Sequence, residues 1–379
     1  DEKKSATYEA GKATQEHAYG SGACTAVDGF DTVEVGSLRA AHQSLWSTTA
    51  CDMPILKRAK FHAIVGIGPP GQPEWTAEQD LEELEQDKHN FKISSMNVPD
   101  ELNDEIEKKK QELEVAKTKP AMLENFGVTT FSQCLGKQAK SPGWLIWNDS
   151  TRWGTPGVKR VPISGKITWG TSATNLAFSD SGLHDIVACK QGCGAIIDTG
   201  TSLFAVPSEV YESIFNAVDR YMHSRLPPDM PVGCDDLSYF PDLVVTLGGQ
   251  DLSFPPSSYI GSFYGQMDKE TSGFVRQDHI RGSKCQLLIM DLGETEVTTL
   301  GSMLILGMPF FREYYTTFDL GSGRGHRSIF VSRADDSCEP ESDKKAGASL
   351  RREEFRPRHV DLSKVRAPEW ASRRTGIAI

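Results

Sequence analysis

Asp198 ends the apolar stretch of Ala195-Ile196-Ile197-Asp198-Thr199-Gly200-Thr201-Ser202-Leu203, where a β-branched strand pattern runs into Asp-Thr-Gly-Thr. A carboxylate that activates water must sit at the end of a rigid strand. It needs a glycine that permits a tight turn and hydroxyl neighbours that fix its orientation. Thr199, Gly200 and Thr201 supply those types. Against a second carboxylate at contact distance such a group shares one proton, because two like charges so close cannot both ionise. Asp180-Ser181-Gly182 comes only eighteen residues earlier and reads as a turn between strands.

Other chemistries find less support. Gly66-Ile67-Gly68-Pro69-Pro70-Gly71 spells GxGxxG, but adjacent prolines remove two amide donors from the turn that would cradle a pyrophosphate. There is no HExxH and no second closely spaced cysteine pair, so no metal site is expected. GxSxG is absent and Ser202 has no neighbouring His base, which argues against a serine nucleophile. No cofactor is implied.

The elements that must position Asp198 are mainly short strands. Thr32–Val35, Phe61–Val65, Ala195–Ile197, Leu243–Leu247 and Ser328–Val331 are apolar or β-branched runs, each ended by Gly, Pro or a polar pair. The expected class is all-β. One segment departs from it: Glu74–Lys119 is dense in Glu and Lys, with Leu102, Ile106, Leu113 and Ala116 at helical spacing, and predicts a charged helical insertion over about 74–120. Asp104 with Lys108 and Glu105 with Lys109 would form i,i+4 pairs there. A further helix is predicted after Pro207-Ser208-Glu209, on Val210, Ile214, Phe215 and Val218. From 334 to 379 the charges are mixed and large apolar residues few, which predicts a disordered extension.

Composition bounds the partners. The chain has 379 residues, 38% of them hydrophobic, enough for a sizeable core in one two-lobed unit or two domains. Its net charge of −11 repels phosphate backbones, so nucleic acid is not expected. No window approaches the apolar length of a membrane span. The 8 cysteines are even in number and read as disulfides, which favours an oxidising compartment. No apolar signal region follows Asp1-Glu2-Lys3-Lys4; either the protein is not exported or these residues are not its true start.

Taken in order, several motifs make the chain resemble the pepsin-like aspartic endopeptidases over roughly residues 5–333, interrupted by the charged insertion. Tyr19-Gly20-Ser21-Gly22 looks like the flap hairpin whose Tyr closes over a bound peptide. Ile64-Val65-Gly66 resembles the hydrophobic-hydrophobic-Gly segment that threads the first lobe's catalytic turn. Cys189-Lys190-Gln191-Gly192-Cys193 resembles the family's small disulfide loop. Ile305-Leu306-Gly307, followed by Pro309–Asp319, looks like the closing signature of the second lobe.

The resemblance implies a bilobal fold: a first lobe at 1–144, a second at 145–333 and the tail beyond. It implies disulfides Cys189–Cys193 and Cys234–Cys285. Cys24 with Cys51 and Cys134 with Cys338 then remain, pairings that the sequence alone does not confirm. It also implies an aspartic endopeptidase with Asp198 as half of a carboxylate dyad, acting as a monomer on an extended polypeptide in a secretory, endolysosomal or vacuolar compartment or outside the cell. Two departures stand out. No Asp-Thr/Ser-Gly precedes Tyr19, so the first lobe is expected to be incomplete and the chain as given inert; and Met308 stands where many relatives carry an acid. A competing reading is a pseudoprotease that binds or inhibits peptides. A homodimer with one loop per chain is disfavoured, because both hydrophobic-hydrophobic-Gly segments already lie in one chain.

Overall fold

The structure, a computed structural model, describes residues 4–19, 22–53, 63–138, 141–150, 154–180, 183–227, 230, 233–267, 269, 272–294, 298–340 and 357–366. Strands dominate, as the alternating apolar runs require. Glu9–Tyr19, Gly22–Val35 and Leu38–Asp52 form an antiparallel three-stranded sheet, with Cys24 opposite Cys51. A five-stranded sheet runs Trp144–Trp147, Thr130–Cys134, Tyr314–Asp319, Ser328–Arg333, Lys159–Pro162. Residues on both sides of position 144 therefore share one sheet.

The eight-stranded sheet carries the site. Its main path runs Gln250–Phe254, Asp242–Leu247, Gly170–Asp180, Cys193–Ile197, Ser302–Leu306, Phe204–Val206, Ile289–Asp291. Leu183–Ala188 branches from Gly170–Asp180, and the Asp180↔Leu183 pair makes that connection the expected hairpin; Ser181 and Gly182 lie outside the described residues. Cys193–Ile197 is buried at every position, as a central strand covered on both faces should be. The helix Ser208–Arg225 starts where predicted and lays Val210, Tyr211, Ile214, Ala217, Val218 and Met222 against the main core.

The charged insertion is two helices, Gln72–Ile93 and Asp100–Lys117, running antiparallel, with Ile106 buried between them and their surroundings. The expected pairs of Asp104 with Lys108 and Glu105 with Lys109 are not the ones formed. Lys109 instead reaches Asp80 at 2.8 Å and Glu112 at 2.9 Å, and Lys110 reaches Glu107 at 2.9 Å and Glu85 at 3.7 Å. The neighbouring helix offers acids that a single-helix reading leaves out.

Three other expectations are corrected. Ala63–Val65 is not a strand and lies outside any described sheet, with Ile64 and Val65 exposed, while Phe61 and His62 lie outside the described residues. Cys234 and Cys285 are free buried thiols in mutual hydrogen-bond contact, and Cys234 Sγ also donates to the Gly261 carbonyl at 3.3 Å. The disulfides are Cys24–Cys51, Cys134–Cys338 and Cys189–Cys193.

The tail, expected to be disordered from 334, is ordered over its described parts. Asp335 Oδ1 accepts the Ser337 and Glu339 amides beside the Cys134–Cys338 bridge. Farther on, Arg358–Asp361 is a strand and Leu362–Lys364 a 3₁₀ turn. The polar and apolar alternation of His359-Val360-Asp361-Leu362 lets this piece pair as an edge strand, and buried Leu362 and Val365 anchor it.

Candidate active site

Asp198 is placed by the two strands flanking Cys193–Ile197. Gly170–Asp180 pairs antiparallel on one side, and Ser302–Leu306 runs parallel on the other, with Ile197 opposite Leu306. The ladder continues one residue further, because the Asp198 amide donates to the Leu306 carbonyl at 3.1 Å. The half-buried carboxylate is then held from both oxygens: the Gly200 amide donates to Oδ1 at 2.7 Å, and Thr201 Oγ1 donates to Oδ2 at 2.6 Å. Two short donors, one on each oxygen, fix the plane in which the carboxylate can meet a water.

Behind the loop, Thr201 is fully buried and its carbonyl accepts the Met308 amide at 2.9 Å. Gly307 makes this approach possible: an added Cβ would press on the Leu203 and Thr201 carbonyl oxygens. Ile305 and Leu306 thus brace the loop that carries Asp198, as the hydrophobic-hydrophobic-Gly reading expects. Met308, the departure from the acidic residue of many relatives, opens the short helix Met308–Glu313, where Arg312 approaches its sulfur at 3.9 Å.

The structure brings together Asp198, Thr199, Gly200 and Thr201 on one turn. Tyr19 and Gly22 pair with each other at the end of the hairpin formed by Glu9–Tyr19 and Gly22–Val35. Gly20 and Ser21 between them lie outside the described residues, as do the side-chain positions at Tyr19 and Gly22. Cys189 and Cys193 close their loop immediately before the Asp198 strand. No group of three or more His, Cys, Asp or Glu side chains suited to a metal occurs among the described residues.

Two contacts at the site have no counterpart in the sequence reading. The Ser202 amide donates to the Arg366 carbonyl at 3.2 Å, and the Arg366 amide donates to Ser202 Oγ at 2.9 Å. The signal in the sequence is the set of apolar positions Val360, Leu362 and Val365 within a largely charged segment.

The family model described as Asp, eukaryotic aspartyl protease, matches residues 1–90 and 126–325, leaving out the helix Asp100–Lys117. Among curated proteins the chain is similar to pepsin A of Bos taurus, 25% identical over 324 residues, covering 84% of this chain and 70% of that protein. Pepsin A of Callithrix jacchus is 26% identical over 324 residues, covering 83% and 66%. Pepsin A of Gallus gallus is 24% identical over 325 residues, covering 86% and 71%. The chain spans about two thirds of the length of these relatives.

Proposed function

We propose, from the premise that this chain belongs to the eukaryotic aspartyl protease family, that Asp198 is one half of a carboxylate pair that hydrolyses peptide bonds. The observation carrying this reading is the carboxylate held by the Gly200 amide and the Thr201 hydroxyl at the end of a braced strand. In the reaction one carboxyl of the pair is ionised and takes a proton from water as the water attacks the scissile carbonyl. The other carboxyl, protonated, gives its proton to the carbonyl oxygen; the C–N bond then breaks as the first carboxyl passes the proton it took from water to the departing nitrogen and the second takes its own proton back from the hydroxyl. Thr201 and Gly200 keep Asp198 oriented through this exchange. Tyr19 would cover the peptide as a flap, and the peptide would lie extended, bonding through its backbone like an added strand.

The second carboxylate belongs to the partner lobe's loop. The 379 residues contain no Asp-Thr/Ser-Gly at that place, so on this reading they bind peptide without cleaving it, and a polypeptide supplying the twin carboxylate cleaves. In that polypeptide Asp198→Asn should lower kcat by about 10³-fold or more, with peptide affinity retained. Cleavage unchanged by Asp198→Asn would end the proposal. A second reading is a peptide-binding pseudoprotease. It predicts that the natural polypeptide carrying both lobes binds peptide and releases it intact. Three disulfides fit an oxidising, secretory or lysosomal setting, and no described helix is long and apolar enough to cross a membrane.

A further inference from the structure

Beside the Asp198 loop the chain's own tail lies as an added strand. Arg358–Asp361 pairs in parallel with Ile260–Tyr264, Gly261 opposite Arg358 and Tyr264 opposite Asp361. The other edge of Ile260–Tyr264 is taken by Gln286–Leu287, so the tail occupies the edge that would otherwise accept a strand. Ser262 Oγ and His359 Nδ1 add a side-chain contact of 2.7 Å. A 3₁₀ turn follows, capped by Asp361, whose Oδ1 accepts the Ser363 amide at 3.1 Å and the Ser363 hydroxyl at 2.8 Å.

The backbone then arrives at Ser202, the residue after Thr201, and Arg366 spends both its amide and its carbonyl there. A single residue that gives one amide and one carbonyl to the same partner bonds as a peptide backbone does, whatever its side chain. Apolar packing fixes the register. Leu362 and Val365 are 4% and 3% exposed, in a cluster with Leu203, Ile196 and Ile305, residues that flank or brace the Asp198 loop. Gly261 provides the clearance, since a Cβ there would strike the Arg358 carbonyl and Leu288.

We propose that Arg358–Arg366 is a built-in strap that occupies the strand-accepting track along Ile260–Tyr264 to Ser202, and that an extended polypeptide must displace it to reach Asp198. The competitor's identity rests on the peptidase reading of Asp198; the occupancy rests on the contacts above. A peptide arriving on this track finds the Ser202 amide and hydroxyl already bonded and the sheet edge already paired. The competitor best matched to the track carries two apolar residues three apart, at the Leu362 and Val365 positions.

The test uses the full chain and a fluorescein-labelled peptide of the strap's own sequence, residues 358–366, read by polarisation, together with hydrogen exchange at the Ser202 amide. Arg366→Pro removes the amide given to Ser202 Oγ. It suits the local backbone, because Val365 at φ −69° and ψ 132° already has the extended conformation a proline requires before it. Val365→Asp removes an apolar anchor. The unaltered chain should bind the peptide weakly. Arg366→Pro should bind it about tenfold more tightly, and Val365→Asp at least as tightly, with Ser202 losing protection in both. Equal peptide affinity in all three chains, or Ser202 protection unchanged in Arg366→Pro, overturns the strap. Asp198→Asn should move neither readout. Cleavage that survives Asp198→Asn in a two-carboxylate polypeptide therefore sinks the peptidase reading, whereas an unmoved Ser202 sinks the strap alone.

Discussion

Ile305-Leu306-Gly307 and Ile64-Val65-Gly66 are written alike, two branched or long apolar residues followed by glycine, and the molecule treats them in opposite ways. Ile305 and Leu306 are 0% and 4% exposed, while Ile64 and Val65 are 54% and 53% exposed. The difference lies in their neighbours. Ser302–Leu306 has a parallel partner in Cys193–Ile197 and an antiparallel one in Phe204–Val206. Ala63–Ile67 has no ladder among the described residues; the Trp169 indole, donating to the Ile67 carbonyl at 2.9 Å, is a side-chain contact only. A strand pattern specifies which face is apolar, but burial needs backbone partners on either side.

The sharpest way to break this contrast is to truncate the matching isoleucines. Ile305→Ala should cost about 3 to 4 kcal/mol in chemical denaturation, as a fully buried side chain leaves a cavity. Ile64→Ala should stay within about 0.5 kcal/mol. Comparable losses would mean that Ile64 is buried in solution and that the two segments are equivalent.

The glycines give a smaller and more specific test. At Gly307 a methyl group meets the backbone carbonyls of Leu203 and Thr201, which cannot step aside, so Gly307→Ala should destabilise by about 1 to 3 kcal/mol. Nothing lies within 4 Å of a Cβ at Gly66, and Gly66→Ala should be neutral or slightly stabilising by about 0.4 to 1 kcal/mol, read from the same denaturation curves. A costly Gly66→Ala would show a neighbour pressed against that glycine.

The smallest effect concerns pH. Hydrogen bonds from Lys364 and then Ser363 hold the Asp361 carboxyl below its ordinary 3.8. Because its folded value is depressed, its contribution is complete above 3.8 and fades as pH falls through the lowered value. The tail strand should therefore lose amide protection in strong acid before the threaded Ser302–Leu306 strand does. Asp361→Asn should erase that acid-dependent step, and a step that persists would assign it to another group.

Much of the site was legible because its chemistry is written in side chains. Asp198, Gly200 and Thr201 are types chosen for charge, clearance and a hydroxyl, and they meet where their spacing implied. The helix beginning at Ser208 was equally readable, since its buried residues repeat at helical spacing behind a proline. The Arg366 contact was not, because its bonding atoms are an amide and a carbonyl that almost every residue possesses. Ile64 and Val65 misled for a related reason: their own sequence carries no record of whether a ladder partner is present. The Cys234 and Cys285 thiols show a third limit. Their contact follows from the fold, but bridging depends on oxidation, which residue spacing does not encode.

The Cys134–Cys338 bridge rivets the tail to the body 20 positions before Arg358. A released strap stays leashed, its first residue never farther than roughly 70 Å from that rivet. On so short a leash the strap presents itself to its dock at a local concentration of about millimolar. Rivals dissolved in the surrounding fluid at micromolar levels would therefore gain entry only by gripping the dock far better than the resident does.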